Sequence, residues 1–210
     1  MPDDNTPEDA VLLPGSSRPI GRERLIENAI LADPGALGFP GALAIRNCRI
    51  GPPSGRVDIV LLPRSGPVEL VLVEAKARAA SDATSKVVGQ LLMYYAGALT
   101  FGQDGLVLLR QFAERYPKDA IAFGKISPKR LTGGGSPPSA AWERLRGGVA
   151  LAPEAIRLYV GLDSAPHAAF LDVLRVLREH HHLNIGYCVV RGGHIEHVVR
   201  ADADQARRFP

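Results

Sequence analysis

GRVDIVLL (residues 55–62), the turn PRSGP (63–67) and VELVLVEAK (68–76) form the stretch whose reading decides the fold. Both runs are dense in Val, Ile and Leu, the composition of buried strands. Pro63, Gly66 and Pro67 between them are strong turn formers, so an antiparallel hairpin is expected. Successive strand side chains point to opposite faces, which puts Glu74 and Lys76 on one face and Ala75 on the other. By the same alternation Val57, Ile59 and Leu61 face away from Asp58, Val60 and Leu62. The hairpin carries Asp58 toward Glu74. A strand that is apolar along its length and ionic at its C-terminal end holds those charges on a rigid element.

Two carboxylates aimed at one point repel each other unless a proton or a cation lies between them, and hard oxygen donors suit Mg²⁺ or Mn²⁺. Asp58 and Glu74 are the candidate ligands, with the carbonyl of Ala75 as a third oxygen. Lys76 beside them would orient or help deprotonate a water that attacks phosphorus, the inventory of phosphodiester hydrolysis. The same residues also fit a plain surface arrangement, in which Glu74 pairs with Lys76 on one strand face and Asp58 is an incidental turn acid.

The flanking segments add context. In DATSKVVGQLLMYYAGAL (82–99), Val87, Leu91, Tyr94, Tyr95 and Ala98 follow helical spacing, and Ser81 or Asp82 is a suitable N-cap. Gln90 and Tyr94, four apart, share a face of that helix, which laid across the Glu74 strand would deliver Gln90 to the acids and pack Tyr94 beneath them. Upstream, RERLIENAILADPGALG (22–38) has an apolar stripe of Leu25, Ile26, Ala29 and Ile30 and a stop at Asp33-Pro34-Gly35. Glu27 and Glu23 on it suit either a site or a solvated helix face.

Taken in order, GRVD, an apolar hairpin, VEAK and QLLMY resemble the PD-(D/E)XK nuclease superfamily, and within it the RecB-like branch and the NucS-type mismatch and flap endonucleases. The resemblance covers about residues 22–99. It implies a restriction-endonuclease-like α/β core, a central mixed β-sheet flanked by helices. It also implies that Asp58 and Glu74 bind Mg²⁺ or Mn²⁺, that Lys76 activates or orients water, that Gln90 supports the site, and that Glu27, with Glu23 as second choice, is the acid of the opening helix. The activity implied is a metal-dependent DNA nuclease, in DNA repair or in defence against foreign DNA. DNA is then the partner, and a homodimer follows by analogy with nucleases that cut both strands. Some twenty residues precede the first helix, fewer than the dimerisation domain of NucS-type enzymes needs, so mismatch specificity and clamp dependence are not carried over. The competing class is a non-catalytic nucleic-acid-binding or regulatory module built on a nuclease-like core.

A chain of 210 residues with 46% hydrophobic content suits one well-cored domain, and a net charge of +3 does not by itself point to nucleic acid. Residues 1–20 read as a flexible N-terminal arm and 21–210 as the domain. Within it, residues 103–153 read as a basic, Gly/Pro-rich insertion. There Lys125, Lys129 and Arg130, with Lys118, Arg144 and Arg146 nearby, suit either phosphate gripping or a solvated connection. AIRLYVGLD (155–163) reads as a buried strand and 166–182 as a helix with Phe170, Val173, Leu174 and Leu177 inward. Residues 184–200 read as a hairpin turning at Gly192-Gly193. The order helix, three strands, helix, strand, helix, two strands suits a mixed sheet covered on both sides. No glycine fingerprint of a Rossmann domain, P-loop, HExxH motif or Ser/His/Asp arrangement occurs. Neither a secretory signal nor a membrane-length apolar run is seen, so a cytoplasmic protein is expected, with Cys48 and Cys188 reduced. His194 and His197, three apart on a strand, face opposite sides and argue against a zinc site.

Overall fold

The computed structural model describes residues 10–11, 20–50, 55–64, 66–67, 70–77, 81–100, 104–116 and 151–201. In chain order these give β1 (Ala10–Val11), β2 (Ile20–Gly21), α1 (Arg22–Ala32), a 3₁₀ turn (Pro34–Leu37), β3 (Leu43–Arg49), β4 (Arg56–Leu62) and β5 (Leu70–Lys76). There follow α2 (Ser81–Leu99), α3 (Asp104–Arg115), a second 3₁₀ turn (Pro153–Ala155), β6 (Ile156–Leu162), α4 (Ala168–Glu179), β7 (Ile185–Arg191) and β8 (His194–Val199). β1 pairs antiparallel with β2, Ala10 opposite Gly21 and Val11 opposite Ile20.

The other six strands form one mixed sheet in the order β3-β4-β5-β6-β7-β8. The hairpin read from residues 55–76 is present, with Ile59 opposite Val73 and Leu61 opposite Val71. β5 and β6 are parallel, as are β6 and β7, while both outer pairs are antiparallel. Parallel neighbours need a crossover, supplied after β5 by the segment carrying α2 and α3 and after β6 by α4. The sheet is covered on both faces. On one, Ile26, Ala29 and Ile30 of α1 pack on Ile59, Leu61, Val71, Val73 and Ala75. On the other, Val87, Leu91, Tyr94 and Ala98 of α2, Leu108 and Phe112 of α3, and Phe170 and Leu174 of α4 pack on Val60, Leu62, Leu70, Leu72, Leu158 and Val160. With helices on both sides, the central strands β5 and β6 are buried at almost every position, as their unbroken apolar runs require.

Gly161 of β6 sets how closely α1 can approach. A Cβ there would lie 2.6 Å from Ile26 Cγ2 and 3.0 Å from Ile30 Cδ1, so the absence of a side chain lets α1 lie directly on β6. That contact places the first turns of α1 over the C-terminal ends of β5 and β6, where Arg22 meets Asp163 at 3.7 Å.

Two sequence expectations are corrected. Val173 is exposed, at 36%, because the buried stripe of α4 runs through Phe170, Leu174 and the half-buried Leu177, leaving Val173 on the flank with Leu171 and Val176. The segment assigned wholly to a basic insertion opens with a regular helix, α3, whose Leu108 and Phe112 and the following Tyr116 recur at four-residue spacing and face the core. Of that segment, residues 117–150, which include Lys118, Lys125, Lys129, Arg130, Arg144 and Arg146, lie outside the described residues.

α3 also closes the sheet edge. β3 is an outer strand, and an outer strand presents unpaired N–H and C=O groups. The Tyr116 hydroxyl accepts from Ala44 N at 3.2 Å and donates to Ala44 O at 2.6 Å. Gln111 does the same at Arg49, its Oε1 accepting from the amide and its Nε2 donating to the carbonyl, both at 3.1 Å. Each side chain mimics a neighbouring strand. Replacing Tyr116 by Phe unpairs both backbone groups of Ala44; urea denaturation should show a loss of about 1–2 kcal/mol, and light scattering on warming should show earlier self-association than in the wild type.

Candidate active site

The charged end of β5 is the centre of the site. Glu74 is 1% exposed, one of only two buried polar or charged residues among those described. Such a carboxylate requires partners, and it has two. Lys76 Nζ donates to Glu74 Oε1 at 2.8 Å, and the Tyr94 hydroxyl from α2 lies 2.9 Å from Oε2. Strand alternation explains the first bond, since residues 74 and 76 share a face. Helix periodicity explains the second, since Tyr94 belongs to the inward stripe of α2 with Val87, Leu91 and Ala98.

Tyr94 is also 2.8 Å from the carbonyl of Arg56. A phenol carries one proton, and a carbonyl can only accept. With the hydroxyl donating to Arg56, the contact with Glu74 is satisfied by a proton on Oε2; with Glu74 ionised, the hydroxyl turns to the carboxylate. The one phenol oxygen thus joins α2 both to the start of β4 and to the end of β5. Burial pushes the Glu74 carboxyl up from the usual 4.5 to about 7, Lys76 and Tyr94 opposing through hydrogen bonds and the Asp58 charge adding to the rise. Burial and the neighbouring Glu74 and Asp58 charges likewise raise the Tyr94 hydroxyl. Lys76 loses some basicity to burial, but the hydrogen bond and charge of Glu74, with Glu23 and Asp58 behind it, hold its ammonium above the ordinary value. At neutral pH Lys76 is a donor and not a base.

Asp58 sits across the strand pair from Glu74, and its Oδ2 accepts from the backbone N–H of Ala75 at 2.8 Å. Its orientation departs from simple alternation. Val57 packs on the α2 side with Val60, and Cys48, its partner on β3, does so with Ile45. Both strands thus slip by one face at Asp58 and Asn47, and Asn47 takes a left-handed φ of 53°. Asparagine is among the side chains that tolerate this conformation. The slip leaves Asp58 half-buried and electrically felt on both sides of the sheet, by Glu74 and Tyr94 and also by Glu27.

α1 supplies a second layer. Glu23 Oε1 lies 3.7 Å from Lys76 Nζ, so the more exposed acid is the one that meets the lysine. Glu27 is held by Arg24 at 3.1 Å and by Arg46 of β3 at 3.6 Å. Burial raises its carboxyl, the two arginines oppose that, and Asp58 adds to it. Arg46 also donates to Asn28 Oδ1 at 2.7 Å. None of these partners was evident in the sequence. Gln90 is half-buried on α2 and makes no hydrogen bond to Asp58, Glu74 or Lys76; one turn later, Tyr94 is the residue of α2 that touches the acid. A groove of about 530 Å³ runs along the outer edge of β3, lined by Arg46, Gln111, Arg115 and Tyr116 among others.

The acids gathered at this end of the sheet are Glu74 and Asp58 on the strands and Glu23 and Glu27 on α1. Among the described residues no group of three or more His, Cys, Asp or Glu side chains is gathered as a metal-binding cluster. Among those residues, too, no helix is long and apolar enough to cross a membrane. Cys48 and Cys188 are buried and free, their thiols pushed up to about 12 by burial. The chain matches no protein-family model, no curated protein and no solved structure.

A carboxyl whose folded pKa exceeds its unfolded one keeps its proton in the folded state after the unfolded chain has released it, so stability falls as pH rises. For Glu74 the window runs from 4.5 to about 7. Compared with Glu74→Gln by urea denaturation across that range, the wild type should lose up to about 3 kcal/mol of relative stability. Parallel pH curves for the two proteins would show that Glu74 titrates normally.

Proposed function

We propose that the chain is a divalent-metal-dependent deoxyribonuclease that hydrolyses phosphodiester bonds, acting in DNA repair or in defence against foreign DNA. The observation that carries this reading is the buried Glu74, held at the end of a central strand between Lys76 and Tyr94 and within reach of the Asp58 charge. A buried acid under like-charge pressure from Asp58 is a pair that a cation would relieve. The donor set fits Mg²⁺ or Mn²⁺, which are commonly held by one or two carboxylates and completed by water and substrate phosphate. Asp58, Glu74 and the Ala75 carbonyl would hold the ion. When bound, it would supply charge stabilisation for the pentavalent phosphorus and an acidified water.

The chain's own groups divide the remaining work. The Lys76 ammonium donates, which suits it to orient the attacking water or to neutralise a non-bridging phosphate oxygen and not to remove a proton. Asp58 is positioned by the Ala75 N–H, and Glu74 by Tyr94. Glu27, paired with Arg24 and Arg46, is within reach of the Asp58 charge, and Gln90, one turn before Tyr94, lies on the helix that covers the site. Resemblance to the PD-(D/E)XK superfamily and its restriction-endonuclease-like core supports the same reading, since the chain carries that order of motifs on a mixed sheet covered on both faces. The competing reading, a nucleic-acid-binding or regulatory module, draws on the same bonds: Glu74 already has both oxygens engaged, as a closed structural ion pair would.

End-labelled single-stranded, duplex, flap and mismatched DNA should be cut in the presence of Mg²⁺ or Mn²⁺, with activity falling roughly 10²-fold or more in Asp58→Ala and Lys76→Ala. Intact DNA under every condition, with binding retained, would transfer the protein to the binding-module class. Independently of turnover, Mg²⁺ should raise the melting temperature of the wild type and leave that of Glu74→Ala unchanged. The shift should be larger at pH 8 than at pH 5, where protonated Glu74 competes with the ion.

A further inference from the structure

β3 ends on Arg49 and β4 begins on Arg56, and the two are cross-strand partners, both exposed. Residues directly opposite in an antiparallel pair share a face, with Cβ atoms about 5 Å apart. Two arginine stems therefore leave the sheet side by side. Guanidinium groups stay charged in proteins, and like charges in this position repel. No acid is ion-paired to either one among the described residues. The fold nonetheless keeps their backbones well fixed: Gln111 holds both main-chain groups of Arg49, and Tyr94 meets the carbonyl of Arg56. A repulsive pair whose backbones are held in this way is a feature that a bound anion would stabilise.

Its position gives the anion a class. Arg56 is two residues from Asp58 on the same strand, about 6.6 Å at the usual strand rise. Nucleic acid advances about 3.4 Å per base along one strand, so the arginines lie one to two nucleotides from a phosphate held at Asp58 and Glu74. Arg46, on the same strand as Arg49, is paired with Glu27 at 3.6 Å, so among the described residues the unpaired positive charge at this end of β3 and β4 is that of Arg49 and Arg56. Guanidinium forks match phosphate oxygens in pairs.

We propose that Arg49 and Arg56 form a two-arginine clamp for backbone phosphates of the nucleic-acid strand, next to the phosphate at the acids. The choice of nucleic acid as the anion rests on the nuclease reading above; that the pair takes an anion rests on the two arginines alone. Base edges play no part in such a contact, so the clamp fixes the strand's path and carries no sequence preference.

The test is fluorescence anisotropy of 5′-fluorescein 20-mers, single-stranded and duplex, with the full chain in EDTA from 50 to 200 mM NaCl. Arg49→Ala and Arg56→Ala should each flatten the slope of log affinity against log salt by about 0.7–0.9, and the double variant by about twice that. Affinity of the double variant at 100 mM salt should fall about tenfold or more. Arg175→Ala, on α4 and ion-paired to Asp172, should match the wild type. Arg56→Glu sets opposite charges face to face and separates the clamp from a structural role: its melting temperature should rise by about 1–3 °C while DNA binding weakens. Wild-type affinity and slope in the double variant, no DNA binding by the wild type, or a lower melting temperature in Arg56→Glu would each overturn the clamp. Failure of the wild type to cut DNA with Mg²⁺, with these arginine effects intact, would sink the nuclease reading and leave the clamp standing.

Discussion

A carboxylate taken almost wholly out of water is the constraint around which this molecule is arranged. Glu74 lies at the end of a central strand, where desolvation strongly disfavours its charge. Two donors from different elements compensate: Lys76, two residues along the same strand, and Tyr94 from the helix that crosses it. These bonds tie α2 to the hairpin at one point, because the Tyr94 hydroxyl also meets the Arg56 carbonyl. The position of α2 over the sheet and the chemistry at the end of β5 are consequently one arrangement.

The sheet topology determines where such a group can sit and remain reachable. β5 joins the antiparallel half of the sheet to the parallel half, so its C-terminal end has the Asp58 hairpin on one side and the end of β6 on the other. Open α/β sheets commonly bind ligands beyond the carboxyl ends of their strands. Here α1, seated close to the sheet over Gly161, brings Glu23 and Glu27 to that end, and the Arg22–Asp163 contact fastens the same corner. Cover for the opposite hazard, an open strand edge, comes from Gln111 of α3 and from Tyr116 just after it, which bond the main chain of β3 at Arg49 and Ala44. The arginines of β3 and β4 thereby lie on a backbone held from both sides.

Local pattern carried much of this. Apolar alternation and turn residues specified the hairpin of β4 and β5, and helical spacing specified α1, α2 and α4, because those signals depend on neighbours a few residues away. The convergence of Asp58, Glu74 and Lys76 was legible for the same reason: a two-strand hairpin with a short turn leaves little freedom in register. α3 was legible in principle through Leu108, Phe112 and Tyr116, but was obscured by the basic, glycine-rich composition that follows it.

By itself, then, the sequence determined the mixed sheet covered by helices and the end of the strand on which the charges gather. Tertiary structure alone decided how those charges are used. The slip at Asn47 and Asp58 turns Asp58 toward Ala75 and Glu27, and no periodicity announces a slip that occurs in two strands at once. The choice of Tyr94 over Gln90 as the contact to Glu74 depends on how α2 is seated across the sheet, not on which residues share its face. The pairing of Glu23 with Lys76 and of Glu27 with Arg46 depends on the approach of α1 to the sheet. Such contacts join residues distant in sequence, and only the packed chain brings them within bonding distance.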